Sequence, residues 1–446
     1  GAITLCLSSN QIPAEKRYHK LKAINRPDWI NGSVIYELFI RAFCEQGDIR
    51  GVINRLDNIS NLGVDCLWLM PVFPIGDKNK KGRVGSPYAI QDFKKINTKY
   101  GQAQDLKELV KKAHNKKMKV ILDIACNHTA WDNDLLGEHP EWFTKNKDDE
   151  IIQPEDTDWF DVADLDYTNP AVRDYMLKVL LFWVEEYDID GFRMDVAEFI
   201  PLDFWERVLD KLQQVKSDIL LLAEGDHPKL HTRAFHLSYG WNTRLSILRI
   251  LKYGQSAQTL RKVIKHEQKT YPENSTKMRF IENHDLARAN KIFGRRRGKL
   301  AALLYFTIPG VPMIYAGQEI GALRRPSLFD KDTIAWNKKN QEFYNLYQEL
   351  IKLRKNYRAL QNGNLLWLEN DRPNQIISYA RSNKSDTISI FANVTAEKIK
   401  VKIESDQIIK NGRDINFLQR EPGDYTIHTG QLELTLRPYS WCTILS

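Results

Sequence analysis

Arg193 and Asp195 lie two positions apart in the segment DIDGFRMDVAEFI, residues 188–200. The apolar residues that alternate with them predict a short strand, so both charged side chains project from one face of it. A charge that is buried without a partner is strongly destabilising. This face must therefore lie near water or hold the two charges against each other.

Polar residues also follow three other predicted strands where each strand ends. They are Asp123, Asn127 and His128 in DIACNH, Glu224 in LLLAEGD, and His284 and Asp285 in FIENHD. Any one of them alone is explained as a helix cap or a salt-bridge partner. If all of them lie on the same rim of the fold, a purely structural role is harder to defend, because clustered carboxylates repel and raise one another's pKa. The convergence therefore predicts a functional site.

Clustered carboxylates without metal-binding cysteines suit the cleavage of a glycosidic bond. One carboxylate attacks the sugar carbon and a protonated one donates to the leaving oxygen, at a separation of about 5 Å when configuration is retained. Like-charged neighbours raise the pKa of the acid, and a guanidinium keeps the nucleophile ionised. Arg193 is accordingly expected to hold Asp195 as the anion.

The elements that would position these groups alternate along the chain. The predicted strands are 34–43, 64–72, 118–125, the segment described above, 219–224, 234–241, 278–283 and 311–317, and helical spacing marks 106–117, 170–187, 203–215 and 297–308. Such βα units favour an α/β fold, a closed (β/α)₈ barrel, whose reactive groups lie at the C-terminal ends of the strands.

Two regions depart from this alternation. Residues 126–169 are irregular and follow the third strand, which predicts a small inserted domain. From about 365 onward, alternating strands without helices predict an antiparallel β-sandwich. The expected organisation is an N-terminal extension at 1–24, a barrel at 25–125 and 170–364, the inserted domain at 126–169 and the sandwich at 365–446.

Composition argues against several other classes of protein. The 446 residues are 42% hydrophobic and 27% charged, with a net charge of +8. Basic and acidic residues alternate along the chain, so nucleic-acid binding is not expected. Five irregularly spaced cysteines predict neither a zinc site nor a disulfide framework. No stretch approaches the roughly 20 apolar residues of a membrane span. The short apolar segment AITLCL resembles part of a signal peptide but is too short to fix the location, for which secreted or periplasmic is the leaning.

The segments quoted above resemble the alpha-amylase family of glycoside hydrolases. DIACNH, GFRMDVA, LLLAEGD and FIENHD match four of its sequence blocks, and GVDCLWLMP, GVPMIYAGQE and ADLDYTNP match three more. All seven occur in the family's order within residues 34–320. The family fold is a barrel with a small domain after strand three and a C-terminal sandwich, which agrees with the expectation above.

The resemblance implies a role for each matching residue. Asp195 would be the nucleophile, Glu224 the acid/base, and Asp285 a third carboxylate that grips sugar hydroxyls and favours a distorted ring. The substrate-binding residues it implies are Asp123, His128 and His284 on the same sugar, Arg193 orienting Asp195, Tyr88 of GSPYAIQDF stacking under the sugar, and Arg288 as a supporting arginine. For Tyr88, an ordinary loop tyrosine is the alternative.

Many members of this family bind a structural calcium ion between the barrel and the inserted domain. Asn127 and Asp164 match two of its ligands, and oxygen donors suit calcium. Asn and Asp also cap turns, which is the alternative. The family's second calcium loop is absent, because CEQGDIRG lacks its spacing. No organic cofactor is expected.

The chain departs from endo-acting alpha-amylases after the nucleophile block. Glu198 and Phe199 stand where those enzymes have Lys-His, and GFRMDV followed by FI also resembles the oligo-1,6-glucosidases. We expect a monomeric retaining hydrolase of α-1,4 bonds in starch-type glucans or maltooligosaccharides. The alternatives are an α-1,6- or oligosaccharide-specific glucosidase, a neopullulanase-like enzyme and a transglycosylase. A silent carbohydrate-binding or transporter-partner barrel would leave the charged rim unexplained.

Overall fold

The computed structural model describes residues 18–404, 416–419, 423–428 and 430–446. The segment AITLCL and most of the predicted extension 1–24 lie outside the described residues. The described part contains a closed barrel of eight parallel strands, a two-stranded sheet, and two antiparallel sheets of five and three strands. The predicted α/β barrel with an inserted domain and a C-terminal sandwich is therefore confirmed.

The first barrel strands follow one another in short βα units. They are β1 (Ile35–Leu38), α1 (Ile40–Phe43), α2 (Ile49–Asn54), α3 (Leu56–Leu62), β2 (Cys66–Leu69), α4 (Ala103–Asn115) and β3 (Lys119–Ile124). The predicted strand 34–43 was too long, because its second half forms the helical turn α1. That turn is buried on all sides, so it has no polar face that would distinguish it from a strand.

The inserted domain follows β3. It contains β4 (His128–Ala130), α5 (Leu135–Glu138) and β5 (Val162–Asp164), and the two strands pair antiparallel. The barrel resumes with α6 (Pro170–Tyr187), β6 (Gly191–Met194), α7 (Leu202–Val215), β7 (Leu220–Ala223), α8 (Leu230–Arg233), β8 (Leu237–Tyr239), α9 (Trp241–Tyr253), α10 (Gln258–Thr270), β9 (Thr276–Arg279), α11 (Ala289–Thr307), β10 (Val311–Tyr315), α12 (Gln341–Asn356) and α13 (Arg358–Asn362).

Around the barrel the strand order is β1-β10-β9-β8-β7-β6-β3-β2, and every neighbouring pair is parallel. The strands are apolar because barrel interior and helices cover both of their faces. All eight C-terminal strand ends consequently open on one rim.

The start of α6 agrees with its sequence. The Asn169 side chain accepts a hydrogen bond from the backbone N–H of Ala171, and Pro170 occupies the first helical position.

The predicted strand 278–283 is shifted in the structure. β9 ends at Arg279, and residues 280–283 form the loop that leads to His284 and Asp285. Likewise, the predicted helix 297–308 is the second part of α11, which is kinked at Gly294 with φ of 71°. Short 3₁₀ helices lie at Tyr18–Lys20, Asp28–Ile30, Pro140–Trp142, Ala197–Phe199, Gln318–Ile320 and Trp336–Lys338.

The C-terminal strands form two facing sheets. They are β11 (Asn364–Trp367), β12 (Ile376–Ser382), β13 (Thr387–Asn393), β14 (Ile399–Glu404), β15 (Asn416–Gln419), β16 (Asp424–His428), β17 (Gln431–Leu436) and β18 (Trp441–Leu445). One sheet has the order β11-β12-β13-β18-β15 and the other β14-β17-β16. Alternate residues of β14 are buried, so its apolar face packs against the larger sheet. The residue bounds predicted for the domains stay predictions.

Two further expectations concern cysteines and membranes. Cys44, Cys66, Cys126 and Cys442 are buried free thiols among the described residues. Cys66 begins β2, and Cys126 lies just beyond the end of β3. Within the part of the chain that the structure describes, no helix has both the length and the apolar character of a membrane span.

Candidate active site

The C-terminal rim of the barrel holds a pocket with a volume of about 160 Å³. Asp195 follows β6, Glu224 follows β7, and Asp285 lies in the loop after β9. All three predicted carboxylates line this pocket. The other predicted residues on its wall are Tyr88, His128 and His284. The fold therefore brings together side chains from four strand ends and the loop after β2.

Arg193 lies beneath the pocket and is fully buried. Its Nη1 donates to Asp195 Oδ1 at 2.6 Å and to Asp123 Oδ1 at 3.0 Å, and its Nε donates to the Tyr239 hydroxyl at 3.0 Å. Its Nη2 lies 3.0 Å from Glu224 Oε2, but the angle does not make a hydrogen bond. One guanidinium thus faces three carboxylates, whereas the sequence assigned it to Asp195 alone.

Asp195 and Glu224 form a close carboxylate pair. Burial and the charge of Glu224 raise the pKa of Asp195 well above its ordinary value, and Arg193 opposes this rise. Glu224 Oε2 accepts from the backbone N–H of Val196 at 2.9 Å. The negative charge of Glu224 therefore favours the protonated form of Asp195, whereas the guanidinium of Arg193 favours the Asp195 anion.

Val196, directly after Asp195, has φ of 39° and ψ of 47°, in the left-handed region. A β-branched residue rarely adopts this conformation, and such strain costs about 1–3 kcal/mol. The conformation aims the Val196 N–H at Glu224, so the turn fixes one carboxylate relative to the other. Strain of this kind concentrates at functional sites.

Tyr88, His284 and Glu37 form a buried chain of hydrogen bonds on the opposite wall. The Tyr88 hydroxyl donates to Asp123 Oδ2 at 2.9 Å and lies 2.9 Å from His284 Nε2. His284 Nδ1 donates to Glu37 Oε1 at 2.5 Å. The Tyr88 and His284 rings also stack, with centroids 5.5 Å apart. Sequence reasoning missed Glu37, although an acid inside the apolar strand β1 was the same signal that marked Arg193.

The charges on this wall are set by His284. Burial opposes the imidazolium, but Asp285 and Glu37 outweigh it and raise the pKa of His284 well above its ordinary value. In return, against the effect of burial, His284 and then Arg193 lower the pKa of Asp285 to about 2. Burial lowers the pKa of His128 to about 4, so that ring is neutral. Asp285 is therefore an anion across the neutral range.

Three residues predicted to bind substrate lie behind the pocket wall. Asp123 and Arg193 are fully buried and are not among the residues that line the pocket. Arg288 lies farther away, where its Nη1 donates to Glu282 Oε1 at 2.7 Å and its Nη2 to the Ala316 carbonyl at 2.7 Å. Arg288 therefore links the loops after β9 and β10 through these contacts, and it does not line the pocket.

The remaining wall comes from residues that no sequence pattern marked. Trp159 and Asp161 come from the inserted domain, and Asp161 pairs with Lys81 at 3.0 Å. Leu328 and Phe329 come from the loop after β10. The Phe329 carbonyl accepts the backbone N–H groups of residues 84 and 85, which closes the pocket between two loops.

Asn127 and Asp164 lie together, as expected of a shared site. Asn127 Nδ2 donates to Asp164 Oδ1 at 3.1 Å, and the Thr144 hydroxyl donates to Asp164 Oδ2 at 2.7 Å. Calcium takes about six to eight oxygen ligands, and both oxygens of Asp164 here meet donors instead. No group of three or more His, Cys, Asp or Glu side chains in the described ranges could hold a metal ion. The arrangement of these two residues does not fit calcium.

A closed parallel barrel with paired carboxylates and a third acid on its C-terminal rim defines a barrel-type glycosidase site. The profile of the family described as "Alpha amylase, catalytic domain" matches residues 25–162 and 156–337. The chain belongs to the alpha-amylase family of glycoside hydrolases.

Relatives agree with this assignment. A cyclomaltodextrinase of Geobacillus thermopakistaniensis is 28% identical over 87% of this chain and 73% of its own length. Alpha-amylase 3 of Dictyoglomus thermophilum is 27% identical over 93% of both chains. The crystal structure of a maltogenic alpha-amylase from Thermotoga neapolitana superposes with a TM-score of 0.86, at 28% identity, over 94% of this chain and 99% of that chain.

Proposed function

We propose that this protein hydrolyses α-1,4-glucosidic bonds of maltooligosaccharides or starch-type glucans with retention of configuration. The observation that carries the proposal is the single guanidinium of Arg193 in contact with both Asp195 and Glu224. A retaining mechanism needs its two carboxyl groups only about 5–5.5 Å apart, closer than the roughly 6.5–9.5 Å of an inverting enzyme. Two carboxylates that share one guanidinium suit the shorter separation.

In the proposed reaction Asp195 acts as the anion and Glu224 supplies the proton that the leaving group takes up. Asp195 receives a 2.6 Å hydrogen bond from Arg193, whereas the contact of Glu224 with Arg193 lacks hydrogen-bond geometry. Asp195 attacks the anomeric carbon while Glu224 protonates the leaving glycosidic oxygen, which gives a β-glucosyl enzyme. Glu224 then takes a proton from water, the water attacks the anomeric carbon, and Asp195 leaves.

The other wall binds the sugar whose bond is cleaved. Asp285 is ionised beside His284, so it accepts hydrogen bonds from sugar hydroxyls. The Tyr88 ring is held in place by its hydroxyl contacts and offers a flat apolar face. Arg193 and Asp123 act as positioning residues from below the pocket floor.

Short substrates fit this pocket better than long ones. Its volume of about 160 Å³ is small beside the roughly 300–1,000 Å³ of cavities that hold drug-sized ligands. Beside it, Phe199 is 54% exposed and stacks on Trp159 with centroids 5.7 Å apart. The exposed ring of Phe199, supported by the partly buried Trp159, is a platform for a further sugar outside the pocket.

A second candidate is a cyclodextrin- or pullulan-degrading enzyme. The relatives include the cyclomaltodextrinase described above and neopullulanase 2 of Thermoactinomyces vulgaris, 27% identical over 94% of this chain and 79% of its own length. Phe199, in place of the polar residue expected in an endo-acting amylase, favours this candidate because a curved or branched glucan presents apolar faces to an aromatic platform.

The proposal is tested by following products by size and anomer. Maltoheptaose, soluble starch, pullulan, β-cyclodextrin and isomaltose are each incubated with the protein, and NMR records the first anomer released. We expect α-anomers from α-1,4-linked substrates, with Asp195→Asn inactive and correctly folded. Initial β-anomers, or an active Asp195→Asn variant, would refute the mechanism. The pattern of consumed substrates separates the two candidates.

A monomeric state and a secreted or periplasmic location stay predictions, whereas the contacts of Asn127 and Asp164 do not fit the calcium ion expected there. The contacts of Asp164 argue against a calcium requirement. Thermal unfolding with and without a chelator tests whether calcium is required, and sedimentation analysis of the intact protein tests the monomeric state.

A further inference from the structure

A second cavity lies at the opposite end of the barrel from the catalytic rim. Its volume is about 440 Å³. Thr276 and Val311, the first residues of β9 and β10, lie on its wall, as does Asn364, the first residue of β11. The cavity is therefore bounded by the N-terminal strand ends and the beginning of the C-terminal sheets, a position that no step of the proposed hydrolysis uses.

Two arginines on the cavity wall have only neutral partners. Arg381 is 1% exposed, and its Nη1 and Nη2 donate to the carbonyls of Thr307 and Gly363, each at 2.9 Å. Arg26 donates through Nε to Asn31 Oδ1 at 2.6 Å and through Nη1 to the Asn274 carbonyl at 3.0 Å. Each guanidinium has five N–H donors, so both retain unused ones.

A third arginine lies directly behind the same wall. Arg354 is 1% exposed and donates through Nη2 to the carbonyls of Asn31, at 2.9 Å, and Gly310, at 3.0 Å. Asn31 and Gly310 line the cavity. The Nε of Arg354 is buried without a hydrogen-bond partner.

Two carboxylates line this cavity: Glu267, which is paired with Arg279, and Glu273, which is exposed and forms no ion pair with the arginines described above. Arg279 Nη2 donates to Glu267 Oε2 at 2.7 Å, and Lys277 pairs with Asp226. Within the described part of the chain, Arg26, Arg354 and Arg381 have no carboxylate oxygen within 4.0 Å. Three positive charges therefore gather at one cavity without a directly paired carboxylate, and Asp65 acts on Arg354 only from beyond 4.0 Å.

This arrangement is electrostatically unfavourable as it stands. Burial, followed by repulsion from Arg381, lowers the pKa of Arg354 to about 9, and burial lowers the pKa of Arg381 to about 10. Both groups remain charged near neutral pH, so the fold bears the cost of desolvating them. A bound anion would remove that cost, since carbonyl dipoles supply only partial charge.

We propose that this cavity binds a phosphate group, either as the free ion or carried by a small sugar. The planar guanidinium presents paired N–H donors that match phosphate oxygens, and several arginines around one site favour a multiply charged oxyanion. Ser275 supplies a further donor, because its buried hydroxyl lines the cavity without a partner. Binding here stabilises the junction of barrel and sandwich and does not compete with the glucan.

The test uses the full chain with inorganic phosphate and glucose 6-phosphate as separate probes, in thermal unfolding and calorimetry. Sodium chloride at equal ionic strength controls for general salt effects. Arg26→Gln removes one cavity charge at a half-buried position and should fold, whereas Arg354 and Arg381 are too buried to replace safely. Arg207→Gln, an exposed arginine paired with Asp174, is the matched control.

We expect a saturable rise in Tm with at least one probe, and binding at least tenfold weaker in Arg26→Gln than in Arg207→Gln. Binding of both probes identifies the phosphate group as the ligand, and binding of glucose 6-phosphate alone identifies a sugar phosphate. The proposal is overturned if neither probe binds at millimolar concentration, or if sodium chloride gives the same rise. It is also overturned if Arg26→Gln binds like the control, or if the probe competes with maltoheptaose.

Discussion

Replacing Arg193 with Lys tests how the barrel controls the ionisation of its nucleophile. The guanidinium of Arg193 donates to Asp195 at 2.6 Å and lies 3.0 Å from Glu224, and a single ammonium group cannot reproduce both contacts. A hydrogen bond to a charged group contributes about 1.5–3 kcal/mol. Its loss should lower kcat/KM about ten- to a hundredfold at the optimum pH.

The same substitution should move the pH profile in a defined direction. Arg193 opposes the rise in the pKa of Asp195, so its loss raises that pKa further. The acidic limb of kcat/KM should therefore shift to higher pH, since the free nucleophile is deprotonated later.

The assay is initial-rate hydrolysis of maltoheptaose from pH 4 to 9. Arg288→Lys is the matched control, because Arg288 is equally buried and pairs with Glu282 but does not line the pocket. It should reduce Tm and leave the acidic limb in place. An unmoved or lowered acidic limb in Arg193→Lys, with the fold intact, would refute the reasoning.

Three further predictions follow from the same contacts. Tyr88→Phe should lower kcat/KM about five- to tenfold, because the hydroxyl that contacts His284 is lost while the ring remains. Steady-state kinetics measures this change, and an unchanged kcat/KM would contradict the prediction. The pKa of Asp285 in the folded protein is about 2, below its value in the unfolded chain, so its stabilising contribution is present above about pH 4 and is lost as pH falls towards 2. In urea unfolding, the free energies of unfolding of the wild type and of Asp285→Asn should therefore become equal as the pH approaches 2. A difference between these two free energies that does not change with pH would argue against it. A chelator should leave Tm unchanged, because Asn127 and Thr144 already donate hydrogen bonds to both carboxylate oxygens of Asp164. A large decrease in Tm that added calcium reverses would contradict this and show that calcium binding rearranges these side chains.

Much of the architecture could be predicted because the barrel repeats one pattern. Each strand is a short apolar run, and each polar residue that ends a strand interrupts that run. Arg193 and Glu224 were found in this way, and the fold brings them into contact at the base of the pocket. The signal works since parallel strands place all of their C-terminal ends on the same rim.

Loops carry the parts that could not be predicted. Trp159 and Phe329 reach the pocket from segments without periodicity, and only tertiary contacts place them there. The length of β9 was misjudged because the apolar residues Phe280 and Ile281 continue past the end of the ladder as buried loop residues. The position of Arg288 behind the wall could not be predicted either, because its sequence neighbours do not indicate that Glu282 is its partner.

The central claim is that Asp195 attacks the sugar while Glu224 supplies the proton. It is tested most directly by trapping the covalent intermediate with a 5-fluoro-α-glucosyl fluoride and locating the label by peptide mass spectrometry. We expect one glucosyl group on Asp195, with release accelerated by added maltose as an acceptor. A label on Glu224, or an enzyme that consumes the reagent without ever carrying a label on Asp195, would contradict the mechanism.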